Sequence, residues 1–83
     1  MNFAVLWKPK AEQALAKVWM DAADRGAITA AARSIDEQLR IDPTNAGESR
    51  SDGLRILLAP PLGVKFTVDE PKHRVYVTAL WRF

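Results

Sequence analysis

Four short stretches of the chain carry the apolar residues of strands, and two longer ones repeat their apolar residues with a helical period. At the N-terminus Phe3, Val5 and Trp7 alternate with Ala4 and Leu6, which predicts a strand with one strongly apolar face. Pro9 then suits a first helical turn, where its missing N–H costs nothing, although Lys8 is a poor N-cap. Ala11, Leu15, Val18, Trp19 and Ala22 recur at helical spacing and predict a first helix over about Lys10 to Ala23. Gly26 stands where a helix terminus or a tight helix–helix turn needs a permissive residue. Ile28, Ala31, Ala32, Ile35 and Leu39 predict a second helix over about Ile28 to Ile41. Asp42-Pro43 ends it, because the residue before proline is steered away from helical geometry. The short link makes the two helices an antiparallel hairpin.

Thr44 to Gly53 (TNAGESRSDG) is the one real loop of this pattern. It is polar, ten residues long, and of a length that is either functional or merely mobile. The last thirty residues predict three strands in succession. Leu54 to Ala59 is apolar on both sides except at Arg55, and Pro60-Pro61 breaks it. Val64, Phe66 and Val68 then point one way, with Lys65 and Thr67 pointing the other. After a turn at Asp69-Glu70-Pro71-Lys72, Val75, Val77, Ala79 and Trp81 alternate with Arg74, Tyr76, Thr78, Leu80 and Arg82. Turning the apolar sets toward the helices leaves Lys65, Thr67, Tyr76, Thr78 and Arg82, with Arg55 beside them, on an open basic face. The expected architecture is α+β, in the order β-α-α-β-β-β: an antiparallel sheet with a helical hairpin on one side.

At 83 residues the chain is expected to form a single domain over 1–83, near the lower size at which a core supports itself. It has no cysteine, so disulfides and thiolate metal sites are excluded. No apolar run approaches the ~20 residues of a membrane span. MNFAVLWKPK lacks the charged segment that opens a signal peptide, so a cytoplasmic location and no membrane partner are expected. The net charge of +2 does not announce a nucleic-acid binder. Its distribution says more. Residues 1–53 carry seven Lys/Arg against eight Asp/Glu, and residues 54–83 carry five against two, so the positive excess lies in the expected sheet. Edge strands also use Lys and Arg to block aggregation, which is the plain reading of that excess.

The chemistry available is narrow. His73 is the one histidine and stands beside a hairpin turn, so no metal site is expected, nor any cofactor. AGESRSDG lacks the Lys-Ser/Thr ending of a phosphate-binding loop. Ser49 and Ser51 have no His-Asp partners for nucleophilic catalysis. The basic sheet face remains. Arg forks and Lys point charges recognise phosphate, and a ring such as Tyr76 can stack on an unpaired base. RNA cleavage further needs groups that move protons, for which Tyr76, Lys65 and His73 are the candidates. It also needs cations at the developing phosphate charge, for which Lys65, Arg55 and Arg82 are the candidates. The alternative is a solvated face with Tyr76 packing across strands. Trp7, Trp19 and Trp81 are expected in the core; an exposed Trp81 at the sheet rim would instead be a partner anchor.

Taken together, FAVLWKPKAEQALAKVW, a helix closing on LRIDP, a Gly-containing loop, GLRILL, LGVKFTVDE and RVYVTALWRF resemble the RelE/ParE superfamily of type II toxin–antitoxin toxins over nearly the whole chain. The arrangement as a whole carries the resemblance, not a single motif. It implies a basic concave sheet face backed by the helical hairpin, and a cognate antitoxin whose segment covers that face. RelE-branch members cut mRNA on the ribosome without metal, using Lys, Arg and often a C-terminal Tyr or His. ParE-branch members poison DNA gyrase. The resemblance makes Arg55, Lys65, Arg82 and Tyr76 the candidate catalytic set, with Arg50 and Arg74 as RNA- or phosphate-binding residues. The family's catalytic arginine falls near Leu62, and no Tyr or His follows Phe83. A metal-independent endoribonuclease therefore stands beside a second expectation: a gyrase-directed toxin, or an inactive homologue that binds an antitoxin.

Overall fold

The computed structural model describes residues 2–83. Its elements are β1 (Ala4–Trp7), α1 (Pro9–Asp21), α2 (Arg25–Ile41), β2 (Glu48–Ser49), a 3-10 turn (Ser51–Gly53), β3 (Arg55–Ala59), β4 (Leu62–Asp69) and β5 (Arg74–Arg82). They form one five-stranded sheet in the order β1-β5-β4-β3-β2. β3, β4 and β5 pair antiparallel, as expected, and β2, within the segment expected as a loop, adds to β3 antiparallel. β1 instead runs parallel to β5, which makes the sheet mixed. The helical hairpin between β1 and the later strands returns the chain to the same sheet, and such a crossover permits parallel pairing.

The helices begin and end for local reasons. Pro9 occupies the first turn of α1, and Glu12 puts a negative charge there. At the other end the Arg25 guanidinium donates to the Trp19 and Met20 carbonyls at 3.0 and 2.9 Å. It thereby satisfies the Met20 carbonyl at the helix terminus and adds a second donor to the Trp19 carbonyl, which also accepts from the Ala22 N–H at 3.3 Å, while its Cζ lies 4.5 Å from the Trp19 ring centroid. α2 starts at Arg25, three residues before the expected Ile28, so Gly26 lies inside the helix and not at a turn. A Cβ at Gly26 would meet nothing within 4 Å. Gly26→Ala is therefore expected to stabilise the fold by about 0.5–1 kcal/mol, about 2–8 °C in Tm. Thermal unfolding followed by circular dichroism checks this; a lower Tm would show that the first turn of α2 is not helical.

Both helices lie on one face of the sheet. Ile28, Ala31, Ile35 and Leu39 of α2 and Ala11 of α1 are buried against Leu57, Leu62, Val64, Phe66, Val75, Val77 and Leu80. Val5 and Trp7 of β1, with Phe3 just before it, pack at the margin of this core, as do Leu15 and Val18 of α1 and Ala22 at its C-cap. Trp19, expected in the core, is 42% exposed on the outer side of the hairpin. Its indole N–H donates to the Thr29 hydroxyl at 3.2 Å.

The segment expected as a plain loop carries structure. Pro43, just before it, is fully buried, and Ala46 within it is 8% exposed in the core cluster. Gly47 has φ 65° and lies against the backbone of Ile56 and Leu57. Glu48 and Ser49 then pair with Ile56 and Arg55.

Candidate effector face of the sheet

Side chains directly opposite each other on neighbouring strands share a face, so the register divides the sheet. Leu57, Val64 and Leu80 lie across from one another on the helix side, as do Arg55 and Phe66. On the open side three rows cross the strands. The first is Leu6–Tyr76–Thr67; the second sets Lys65 between Ala79 and Ile56; the third sets Gly63 between Trp81 and Leu58.

A bulge in β5 decides which residues reach that side. Lys65 pairs with Ala79 and Phe66 with Val77, so Thr78 is an extra residue between them. Its hydroxyl donates to the Lys65 carbonyl at 3.2 Å. One extra residue reverses the inward–outward phase of everything after it. Val75 and Val77 face the helices as expected. Beyond Thr78 the helix-facing residues are Leu80 and Arg82, and Ala79 and Trp81 turn to the open side. The expected helix-facing set of Val75, Val77, Ala79 and Trp81 is thus correct for its first half and inverted for its second.

This phase change relocates Arg82. It was expected on the open face with Lys65 and Tyr76. It lies on the helix side, where its two terminal nitrogens grip both carboxylate oxygens of Asp24 at 2.8 and 2.9 Å. That bidentate fork pins the end of β5 to the α1–α2 junction. It also explains why the Asp24 side chain, at the N-cap of α2, caps no backbone N–H. The two bonds from Arg82 hold the Asp24 carboxyl below its ordinary value of 3.8. A lowered folded-state pKa gives stability that is complete above the unfolded value and lost as pH falls through the folded one. The stability difference between the wild type and Asp24→Asn should therefore be largest above about pH 4 and shrink on further acidification. Urea unfolding of both proteins at stepped pH checks it; a difference that grows toward acid would contradict the ion pair.

Arg55 also departs from expectation. It shares the helix side with Phe66, and its Nε donates to the Ala46 carbonyl at 3.0 Å and Nη2 to the Gly47 carbonyl at 3.3 Å. It fastens the β2 loop to the core edge. Arg50 stands at the β2 edge in an ion pair with Glu48 at 3.0 Å. Arg74 is on the open side, across from Ala4 and Asp69, and is exposed. Of the six basic and aromatic residues singled out in the sequence, the open face thus brings together Lys65 and Tyr76, with Arg74 at one end of the same face.

Two further residues complete the cluster. Lys8, considered in the sequence only as a helix cap, donates its backbone N–H to the Val77 carbonyl at 2.9 Å. Its ammonium lies 4.8 Å from the Tyr76 ring centroid, a contact worth about 0.5–1 kcal/mol at an exposed site. Trp81 lies over Gly63: a Cβ there would meet the indole at 2.6–2.8 Å. The glycine is the seat of the ring. His73 stays apart from this cluster. It sits in the β4–β5 turn with φ 52°, its ring 4.8 Å from that of Phe3. Among the described residues, no group of three or more His, Asp or Glu could hold a metal ion.

No family model and no curated protein matches the sequence. The fold has close counterparts among solved structures. A chain of the toxin–antitoxin complex RelBE2 from Mycobacterium tuberculosis superposes with a TM-score of 0.81 at 14% identity, covering 100% of this chain and 93% of that one. A chain of the chromosomal ParDE TA system from P. aeruginosa gives 0.66 at 20% identity, covering 96% and 95%. A conserved hypothetical protein from Helicobacter pylori gives 0.65 at 12% identity, covering 96% and 93%. The chain has the RelE/ParE toxin fold. Within this RelE/ParE fold the open sheet face carries Lys8, Lys65, Arg74, Tyr76 and Trp81, while Arg55 and Arg82 serve the packing of the loop and the helices. Among the described residues no helix is long and apolar enough to cross a membrane.

Proposed function

We propose that this protein is the toxin of a type II toxin–antitoxin pair, acting in the cytoplasm on mRNA during translation and neutralised by a cognate antitoxin that covers the open sheet face. The RelE/ParE fold supports the toxin role. The observation that carries the choice of working surface is the grouping of Lys65, Lys8 and Tyr76 on one open face. Lys65 and Lys8 would neutralise phosphate, and Tyr76 would stack on a base or move a proton. In this reading Arg55 and Arg82 leave the catalytic set.

That loss of two guanidinium groups favours a second reading, in which the protein is a gyrase-directed toxin or an inactive homologue that binds an antitoxin. Inducible expression in a bacterium, with and without the neighbouring gene, tests the toxin role through growth arrest and its relief. Primer extension on cellular mRNA and a gyrase supercoiling assay then separate the targets. New mRNA ends within minutes of induction, with gyrase unaffected, are expected. Supercoiling inhibition with intact mRNA would replace the first reading by the second.

A further inference from the structure

The two edges of the sheet are finished differently. β2 closes one edge in two polar residues, one of them Glu48. Short, charged edge strands of this kind discourage pairing with other chains. β1 forms the other edge and carries Ala4, Val5, Leu6 and Trp7, with no charge and no proline. Leu6 is 42% exposed. On the inner side of β1, Ala4 and Lys8 donate their backbone N–H groups to the His73 and Val77 carbonyls at 2.8 and 2.9 Å. Alternation along the strand then turns the N–H and C=O groups of Phe3, Val5 and Trp7 outward. Phe3 uses its N–H, donating to the Arg40 carbonyl at the end of α2 at 2.7 Å. Among the described residues, Val5 and Trp7 have no outer backbone partner.

An uncharged edge with free donors and acceptors is a template for another strand, and β1 itself fits it. Two copies set antiparallel about Leu6 place Val5 of each opposite Trp7 of the other. Each of these two pairs exchanges two N–H···O=C bonds, which uses every free outward group of Val5 and Trp7. Other registers lose bonds. Centring on Val5 would need the Phe3 N–H, which the Arg40 carbonyl already takes. Centring on Trp7 would put Val5 opposite Pro9, which has no N–H to give. In the favoured register Leu6 meets Leu6 across the two-fold axis on the open side. Val5 meets Trp7 on the helix side, where both are half-buried at the core margin. We infer that two copies of this chain pair through β1 about Leu6, joining their five-stranded sheets into one of ten strands with both open faces on the same side. The pairing does not depend on the toxin role.

Charge near the seam sets the salt dependence. Lys8 lies opposite Ala4 of the second copy, whose neighbour on β5 is Arg74, with Asp69 beyond that. A lysine thus comes within about 10 Å of an arginine, two strand spacings away. On the helix side Arg40 pairs with Asp36 of its own copy. Salt relieves the approach of the two cations, so the dimer tightens as salt rises. Binding of a nucleic acid would loosen instead.

Sedimentation equilibrium of the purified full chain tests this. Over about 10 µM to 1 mM the protein should pass from monomer to dimer, since so small an interface gives a weak complex. Val5→Pro removes an outward N–H alone, and an edge strand accepts proline at such a position. It should raise the dissociation constant roughly 5- to 150-fold, the range for two lost hydrogen bonds. Leu6→Lys sets two lysines directly opposite each other and should weaken the dimer about tenfold or more, whereas Leu6→Ile should dimerise like the wild type. Circular dichroism reads folding; Leu6 lies outside the core, so its variants carry the test if Val5→Pro does not fold. Amide hydrogen exchange gives the place: the Val5 and Trp7 amides should exchange more slowly in the wild-type dimer than in Leu6→Lys. A chain still monomeric at about 1 mM would overturn the inference. So would a folded Leu6→Lys that dimerises like the wild type, or a dimer whose Val5 and Trp7 amides stay unprotected. Protection of those amides only on addition of the neighbouring gene's product would assign the edge to that protein and equally overturn it.

Discussion

Gly47→Ala is expected to lower stability by about 2–5 kcal/mol, enough to unfold much of the protein at 37 °C. Two independent costs combine. At φ 65° an L-residue is strained by about 1–2 kcal/mol. The added methyl would also overlap the Ile56 carbonyl group and approach the Leu57 Cα to 2.9 Å. These atoms are strand backbone, so relief requires β3 or the loop to shift, at a further 1–3 kcal/mol or so. Arg55 ties the same loop down through the Ala46 and Gly47 carbonyls, so the loop cannot swing clear without breaking those bonds. For a domain of this size the change corresponds to about 10–30 °C in Tm. Thermal and urea unfolding measure it. A loss below about 1 kcal/mol would mean that the loop does not dock against β3 in solution.

The second large effect concerns activity. Under the mRNA reading, Lys65→Ala should reduce the rate of message cleavage about 10²–10³-fold, the usual result of removing one group that stabilises developing charge. Tyr76→Phe removes only the hydroxyl. If that hydroxyl moves a proton the loss is about 10²–10⁴-fold; if the ring only stacks, cleavage persists. Primer extension at early times after induction reads both. Lys65 is partly exposed and lies outside the buried core, so these changes should leave the Tm within about 3 °C of the wild type. Cleavage unchanged in Lys65→Ala would remove this lysine from the mechanism.

Much of the architecture was legible in the pattern of residues. The stripe of Ile28, Ala31, Ile35 and Leu39 is so regular that the buried face of α2 follows from it directly, and alternation through Val64, Phe66 and Val68 fixes the inner face of β4. β1 was legible as a strand but not as a parallel neighbour of β5, because pairing direction depends on the path of the crossover and leaves no periodic trace. β5 was harder. In VYVTALWRF both phases after Thr78 offer apolar residues, Ala79 and Trp81 in one and Leu80 in the other. Alternation alone cannot choose between them; the volume of Leu80 and the Asp24 partner for Arg82 do. The clue was local: Thr, a small residue and two large apolar ones in succession break the strict period, as bulges do.

The same ambiguity explains the outcome for the functional residues. Arg55 and Arg82 are cations on strands, and from sequence a cation on a strand is assigned to the solvent side. Here each has acceptors on the helix side: loop carbonyls for Arg55 and a carboxylate for Arg82. Lys8 was invisible for the opposite reason. Its sequence neighbours make it a helix cap, and only the pairing of β1 with β5 brings its ammonium over Tyr76.

Assignment of function to the open face and not to the strand-end arginines is tested most directly by comparing growth arrest by Lys65→Ala and Arg82→Ala, each expressed without an antitoxin and at matched levels of folded protein. Arg82→Ala should still arrest growth, because Arg82 lies on the far side of the sheet and holds Asp24, whereas Lys65→Ala should be harmless. Arrest by Lys65→Ala together with its loss in folded Arg82→Ala would contradict the assignment and move the working surface to the helix side.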